Sequence, residues 1–462
     1  MPGPAELPKP FLPQPADGRA RDTHEVAERS RTSAARRGSE SQLEVADGVR
    51  ADNLGHAFTD LTPRLDHLAL TGLYNTNVGR EPLPIGQMPD IAAATREAFY
   101  SPDRPGSAIV LLVAHQEPET GAQNVEYAVS QVGSPNVVSL VTGRDQTTVD
   151  QMRATSQREH STLVEQSAVL DAIDWAQLRQ IAGIHDYEEG EPIPTTPIYG
   201  SKGLTALAGV ITLEAMRRMG QTQPNPIVEL HDTDITNAPE YGGIPMVLAP
   251  FIHDQNLLIS MMAKNGLGRN NEPMFTAFSY LMISPNPKVR RMAIALSRMV
   301  WPLTGERAMR LDTLVDMPFA SGMGLETAID LVVAGREAEN KGDVTLIGQT
   351  LNPASKTENR PSLPGREFKM IETLGVYAIL VGEVIAKTGK YLHQWGPKEI
   401  SLFNAQLEER QLIVSVPADE LSANRIEHII PDRMVPSVRQ MIDMGIIDMG
   451  KVEAAIRSSQ QQ

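Results

Sequence analysis

The residues best suited to chemistry are Asp232 and Asp234, inside the stretch Ile227-Val-Glu-Leu-His-Asp-Thr-Asp-Ile-Thr-Asn237. Ile227 to Leu230 is mostly apolar and reads as a buried strand, and the two carboxylates follow it one residue apart. Side chains alternate across an extended chain, so positions i and i+2 project to one side. Both carboxylates can therefore meet one hard cation, Mg2+ or Mn2+, at a strand end, where it would bridge diphosphate oxygens. The same Asp-x-Asp also serves as plain turn chemistry, because Asp caps helices and tolerates tight turns. Spacing alone leaves both readings open.

A carboxylate pair at a strand end needs a sheet to hold it, and the preceding chain predicts one. A short helix is expected over 91–100. Residues 107–114, Ser-Ala-Ile-Val-Leu-Leu-Val-Ala, form an apolar run of strand length, as a strand covered on both faces requires. It ends in a polar turn containing His115 and Glu117. A helix over 124–132 and a second strand over 136–142 follow, the latter ending in Gly-Arg-Asp-Gln-Thr at 143–147. Residues 149–158 and 175–184 read as helical or irregular connectors. The loop Gly200-Ser-Lys-Gly203 then leads into an apolar helix over 205–219. Strands alternating with helices at this spacing predict an α/β fold with a doubly wound, mostly parallel sheet. Ligands of such sheets sit beyond the carboxyl ends of the strands. The turns after Ala114, Thr142 and Leu230 belong to that edge.

Further on, 244–252 is apolar, and the methionine-rich 257–265 reads as core filler. A helix is expected near 288–299, apolar residues at helical spacing fill 325–334, a late strand covers 343–348, and 352–361 is a polar loop. Two or more helices close the chain after about residue 365. The domain plan is a disordered tail over 1–53, a helical lead-in over 54–104, the sheet domain over 105–365 and a C-terminal helical region over 366–462. The tail is rich in Pro, Ser, Arg and Glu and too poor in large apolar residues to offset its ordering entropy.

Bulk properties narrow the classes. A formal net charge of -15 argues against a nucleic-acid binder, which needs a basic surface. The chain has no cysteine, which excludes disulfides, thiolate metal sites and cysteine nucleophiles. No apolar run approaches the roughly 20 residues of a membrane span, and the N-terminus lacks the basic start and apolar core of a secretory signal. A soluble, cytoplasmic protein is expected.

Taken in order, these features resemble a nucleotide-sugar-dependent glycosyltransferase of the GT-A fold. Met317-Pro-Phe-Ala-Ser-Gly-Met-Gly-Leu-Glu326, preceded by Pro302-Leu-Thr-Gly-Glu306, is similar to the matching segments of the retaining glucosyl-3-phosphoglycerate synthases. The mannosylglycerate synthases carry an Arg-Asp-Gln-Thr close to that at 144–147. The resemblance covers roughly residues 107–365.

It implies transfer, with retention, of a hexose from a UDP- or GDP-sugar to a small anionic hydroxy acid such as 3-phosphoglycerate or glycerate. On the donor side it implies Glu117 and Asp145 for the nucleoside, with Lys202 and Asp232 for the diphosphate. The flanking glycines of Lys202 allow close backbone approach and its ammonium suits a phosphate. The Gly-Ser-Lys-Gly loop lacks the long glycine spacing of a Walker A loop. Asp232 and Asp234 would hold the Mg2+ or Mn2+, and Thr357 stands where the family has a metal-binding histidine. Gly268, Arg269 and Asn270 resemble the turn that receives the acceptor's anion, Gly305 and Glu306 would shape the sugar pocket, and Glu326 falls on the carboxylate that touches the transferred sugar or the acceptor hydroxyl. Glu326 and Asp234 are the catalytic pair so implied. Arg307 replaces a tyrosine common in the synthases. Two other classes remain: a sugar-phosphate nucleotidyltransferase, disfavoured because its glycine-rich loop would occupy the His115 turn, and a non-catalytic nucleotide-sugar-binding protein. Apolar helices near the C-terminus suit a homodimer.

Overall fold

The computed structural model describes residues 74–75, 88–114, 117–142, 145–184, 202–236, 243–254, 256–264, 272–297, 299, 305–322, 324–340, 347–352, 366–409 and 433–460. Leu61–Gln462 forms one compact unit. Its centre is an eight-stranded sheet. In chain order the strands are β1 (Tyr74–Asn75), β2 (Ala108–Ala114), β3 (Val137–Val141), β4 (Thr162–Glu165), β5 (Ile227–Asp232), β6 (Ile259–Lys264), β7 (Arg307–Arg310) and β9 (Ile347–Asn352). Two two-residue strands, β8 (Phe319–Ala320) and β10 (Met434–Val435), pair with each other outside it.

Across the sheet the order is β1-β9-β6-β7-β5-β2-β3-β4. β2 to β5, β6 and β9 run parallel, and β7 is inserted antiparallel between β5 and β6. The chain walks outward from β2 through β3 to β4, then returns to the other side of β2 to lay down β5. The sense of winding therefore reverses between β2 and β5, which opens a crevice at their carboxyl ends.

Period-two alternation divides β2 cleanly. Ile109 and Leu111 face one hydrophobic core, which also holds the Lys202–Arg218 and Leu325–Glu339 helices. Ala108, Val110, Leu112 and Ala114 face a second core, built with the Pro118–Val132 and Gly243–Leu248 helices. Burial of both faces explains the continuous apolar run. The first core extends into the C-terminal helices, where Tyr377, Trp395, Phe403 and Ile456 belong to the same cluster as Val228 and Leu230. Phe403 stands edge-on to Tyr377 with ring centroids 4.8 Å apart. No helix among the described residues is long and apolar enough to cross a membrane.

Several elements differ from expectation. The helix expected from 124 starts at Pro118, whose missing N–H costs nothing at a first helical position. The strand expected over 227–230 continues through His231 and Asp232, which stay paired in register with Leu112 and Val113 of β2. The methionine-rich stretch is β6, and the late strand lies at 347–352, with 343–346 outside the described residues. The apolar 244–252 stretch holds two short helices. β4 is only four residues long, and β7 reads Arg-Ala-Met-Arg, so neither shows a strand pattern. The Glu272–Met282 helix was likewise not expected. The 1–53 tail lies outside the described residues.

Because the C-terminal helices share the sheet's core, Phe403→Ala is expected to lower the unfolding free energy by about 3–5 kcal/mol. Urea unfolding followed by far-UV circular dichroism should still show one transition. Separate transitions for sheet and C-terminal helices would contradict the shared core.

Candidate functional site

At the crevice, Asp232 on β5 lies opposite Val113 on β2. Beyond β5 the chain keeps alternating: His231, Thr233 and Ile235 are buried, while Asp232 and Asp234 are half-buried. Both carboxylates are thus partly open at the strand end, although Thr233 and Asp234 lie in a turn and not in extended chain. Two hard oxygen donors there fit a divalent cation such as Mg2+ or Mn2+. Among the described residues no group of three or more His, Asp or Glu side chains is arranged to hold a metal ion; Thr357 lies outside them.

The next turns supply neighbours. Thr233 Oγ1 donates to the Val113 carbonyl at 2.7 Å and lies 3.5 Å from Glu117 Oε2. Glu117 is the half-buried residue immediately before the Pro118–Val132 helix, so the structure brings it to the Asp-Thr-Asp turn. Asp145 caps the Gln146–Glu159 helix, accepting from Thr147 N at 3.2 Å and Thr148 Oγ1 at 2.6 Å. Its carboxylate therefore has local work beside whatever ligand approaches.

Under the turn lies a sealed polar cluster. Glu229, His231 and Glu306 have no side-chain exposure. His231 Nδ1 lies 3.1 Å from Glu229 Oε1 and 3.6 Å from Glu306 Oε1. Burial pushes the Glu229 carboxyl up, only partly opposed by His231. Burial by itself would lower His231, but its hydrogen bond to Glu229 and the field of both carboxylates outweigh this and hold the imidazole above its usual range. Tyr127 is raised by burial and by the same two carboxylates. Every shift keeps negative charge out of the cluster.

His231 Nε2 meets Asn124 Oδ1 at 2.9 Å. Asn124 Nδ2 donates to the carbonyls of Thr120 at 2.8 Å, Ile235 at 3.0 Å and Thr233 at 3.3 Å. Since the amide nitrogen faces carbonyls, Oδ1 must be the acceptor for His231, and the network assigns the imidazole a proton on Nε2.

On the sheet's other face, Lys202 begins its helix and Gly203 packs against the segment after β8. A Cβ on Gly203 would fall onto the Ala320 carbonyl and stand 2.6 Å from Gly322 O, so only glycine permits this approach. Gly203 and the Gly322 turn, far apart in sequence, are thus neighbours. The Lys202 side chain lies outside the described residues. Glu326 sits in the first turn of the Leu325–Glu339 helix, where a carboxylate complements the helix dipole, and is 6% exposed.

Gly305 and Glu306 are buried, and Glu306 faces His231. Arg307, fully buried, donates through Nη1 to Asp330 Oδ1 at 2.9 Å and to the Glu326 carbonyl at 3.1 Å. Burial raises the Asp330 carboxyl to about 8 against the opposing pull of Arg307, with Glu326 adding to the rise. Gly268, Arg269 and Asn270 lie outside the described residues.

Asn124, His231, Asp330 and Arg433 join the site only through the fold. Glu229 and His231 did leave a signal, two polar residues at alternate positions of an apolar strand. Arg433 left none: it is 4% exposed and its backbone N–H bonds Ser321 Oγ, beside the segment that receives Gly203. An open cavity of about 1030 Å³ includes none of these residues. Pro105, Pro135, Thr162 and Gly220 place it at the amino ends of the strands, and its Arg153 is paired with Glu165. The carboxyl edge is where such sheets bind ligands.

No protein-family profile matches the chain. No curated protein matches it either. Among solved structures, glucosyl-3-phosphoglycerate synthase from Mycobacterium tuberculosis in complex with uridine diphosphate is similar at a TM-score of 0.43 and 16% identity, over 65% of this chain and 85% of that one. The same enzyme with phosphoglyceric acid gives 0.41 and 17%, over 66% and 86%. With Mn2+, UDP-glucose and phosphoglyceric acid it gives 0.39 and 16%, over 65% and 85%. At these TM-scores the superposition carries no weight of its own, and the α/β, mostly parallel fold stands on the strand order and registers above.

The raised Asp330 carboxyl makes folding pH-dependent in a defined direction. Unfolded, it titrates near 3.8 and folded near 8, so the native state binds more protons across that window. Its contribution to stability is therefore present below about pH 4 and is lost as pH rises through about 8. In chemical denaturation between pH 4 and 8.5, the wild type should lose stability relative to Asp330→Asn as pH rises. A pH-independent difference would refute the assignment.

Proposed function

We propose that the protein is a metal-dependent glycosyltransferase that moves a hexose from a UDP- or GDP-sugar to a small anionic hydroxy acid such as 3-phosphoglycerate or glycerate, with retention. The observation that carries this reading is the position of Asp232 and Asp234, partly open at the β5 end, beside Glu117, where the winding of the sheet reverses.

Each residue would act as follows. Glu117 accepts hydrogen bonds from the nucleoside, and Asp145 lines the neighbouring turn. Lys202 and the positive end of the Lys202–Arg218 helix meet the diphosphate. Asp232 and Asp234 would hold Mg2+ or Mn2+, with Thr357 as a further oxygen donor. When bound, such a cation neutralises the departing diphosphate. Glu326 orients the transferred sugar, Gly305 and Glu306 support its pocket from beneath, and Gly268, Arg269 and Asn270 receive the acceptor's anion, for which a guanidinium fork is suited. The glycosidic bond to the diphosphate oxygen breaks with its electron pair going to that oxygen. The acceptor hydroxyl adds to the anomeric carbon from the same face, and its proton passes to the leaving phosphate. Such front-face substitution needs no protein nucleophile.

The test is to incubate the protein with UDP-glucose or GDP-mannose and Mn2+, with and without 3-phosphoglycerate or glycerate, and to measure nucleoside diphosphate released. Acceptor-dependent release is expected, with retained configuration by NMR. Asp232→Ala or Asp234→Ala should each reduce turnover on the order of 100-fold or more, the scale for losing a group that stabilises transition-state charge. Pyrophosphate release instead would indicate a nucleotidyltransferase. Donor binding without any turnover would indicate a binding protein, and an inverted anomer would overturn retention.

A further inference from the structure

We propose, on the basis of the cation site above, that Asn124 is a positioning residue that sets the shape of the Asp232-Thr233-Asp234 turn, with His231 holding its amide in the required orientation. Past Asp232 the turn leaves the ladder of β5, so its form must come from elsewhere. Two anchors are present. Thr233 Oγ1 binds the Val113 carbonyl at 2.7 Å, and Asn124 Nδ2 binds the carbonyls of Thr233 at 3.3 Å and Ile235 at 3.0 Å. Those carbonyls flank Asp234 on both sides, so the amide fixes the backbone from which that carboxylate projects.

The amide can serve only one way round. Its two N–H groups are needed by three carbonyls: Thr120, at 2.8 Å, takes one, and the other is shared by Ile235 and Thr233. Flipped, Oδ1 would face those carbonyls. The Nε2–H of His231 at 2.9 Å prevents the flip by requiring an acceptor, and Glu229 at 3.1 Å fixes the ring from its other nitrogen. Carboxylate, imidazole, amide and backbone carbonyl form one sequence of contacts that ends at the carboxylate turn. Outer groups of this kind orient the ligands of metal sites. Asn124 and His231 are each 1% exposed, so neither reaches a substrate. Their role is to position and not to react.

The experiment compares wild type, Asn124→Ala and Asn124→Asp. The aspartate keeps the acceptor for His231 but has no N–H for the carbonyls, and it supplies a second folded variant should the alanine protein fail to fold. Hydrogen exchange is followed by mass spectrometry for peptides covering 230–236 and 137–141, and Mn2+ binding is measured by electron paramagnetic resonance. Exchange over 230–236 should accelerate in both variants while 137–141 keeps its protection, and Mn2+ affinity should fall about 10–100-fold. Unchanged exchange over 230–236, or equal acceleration in both peptides as a general loss of structure would give, overturns the proposal. If the wild type binds no Mn2+, the cation reading fails, while the exchange contrast still decides whether Asn124 shapes the turn.

Discussion

The structure depends on keeping Glu229, His231 and Glu306 together and dry beneath the end of β5. Each buried ion costs several kcal/mol in desolvation, and only close, complementary partners offset it. One imidazole between two carboxylates, with the proton affinities of Glu229 and His231 both raised, is how this protein keeps the cost tolerable. That solution dictates its surroundings. β5 must turn 229 and 231 toward the Pro118–Val132 helix, which leaves Val228 and Leu230 in the opposite core. A side chain at Gly243 would crowd the cluster, since a Cβ would stand 2.9 Å from Glu306 Oε1 and that carboxylate would have to shift.

β7 carries the same constraint through the sheet. Glu306, just before that strand, faces His231; the next residue, Arg307, pairs with Asp330 in the Leu325–Glu339 helix. Alternation along an extended chain thus lets two successive residues address the two layers. One supports the aspartate turn and the other grips the helix that begins at Leu325. An antiparallel strand threaded through a parallel sheet is what brings these layers into fixed relation.

Much of this plan was visible before folding. The runs at 107–114 and 136–142 became β2 and β3 because burial on both faces leaves only apolar letters to read. Alternation along an extended chain predicts Asp232 and Asp234 on one side, but Thr233 and Asp234 lie in a turn past the end of β5, where that rule no longer fixes direction. What could not be read was pairing across distance. Arg307 looks like a surface residue until Asp330 arrives 23 positions later. Asn124 looks like a helix-surface amide until the Thr233 and Ile235 carbonyls fold onto it, 109 and 111 positions later. The short β4 and the polar β7 take their form from neighbouring strands, which no local pattern encodes.

The small ribbon of β8 and β10 has a consequence for the order in which the protein matures. Ser321 N–H bonds the Arg433 carbonyl, and Met434 and Val435 pair with Ala320 and Phe319, the segment that cradles Gly203. On a ribosome, the aspartate turn and the Lys202 loop emerge long before residues 433–435. The segment against Gly203 must therefore wait, its strand edge unpaired, until residues 434 and 435 have been synthesised. A nascent chain halted short of residue 435 would carry the aspartate turn and Gly203 without the strand that pairs with Phe319 and Ala320.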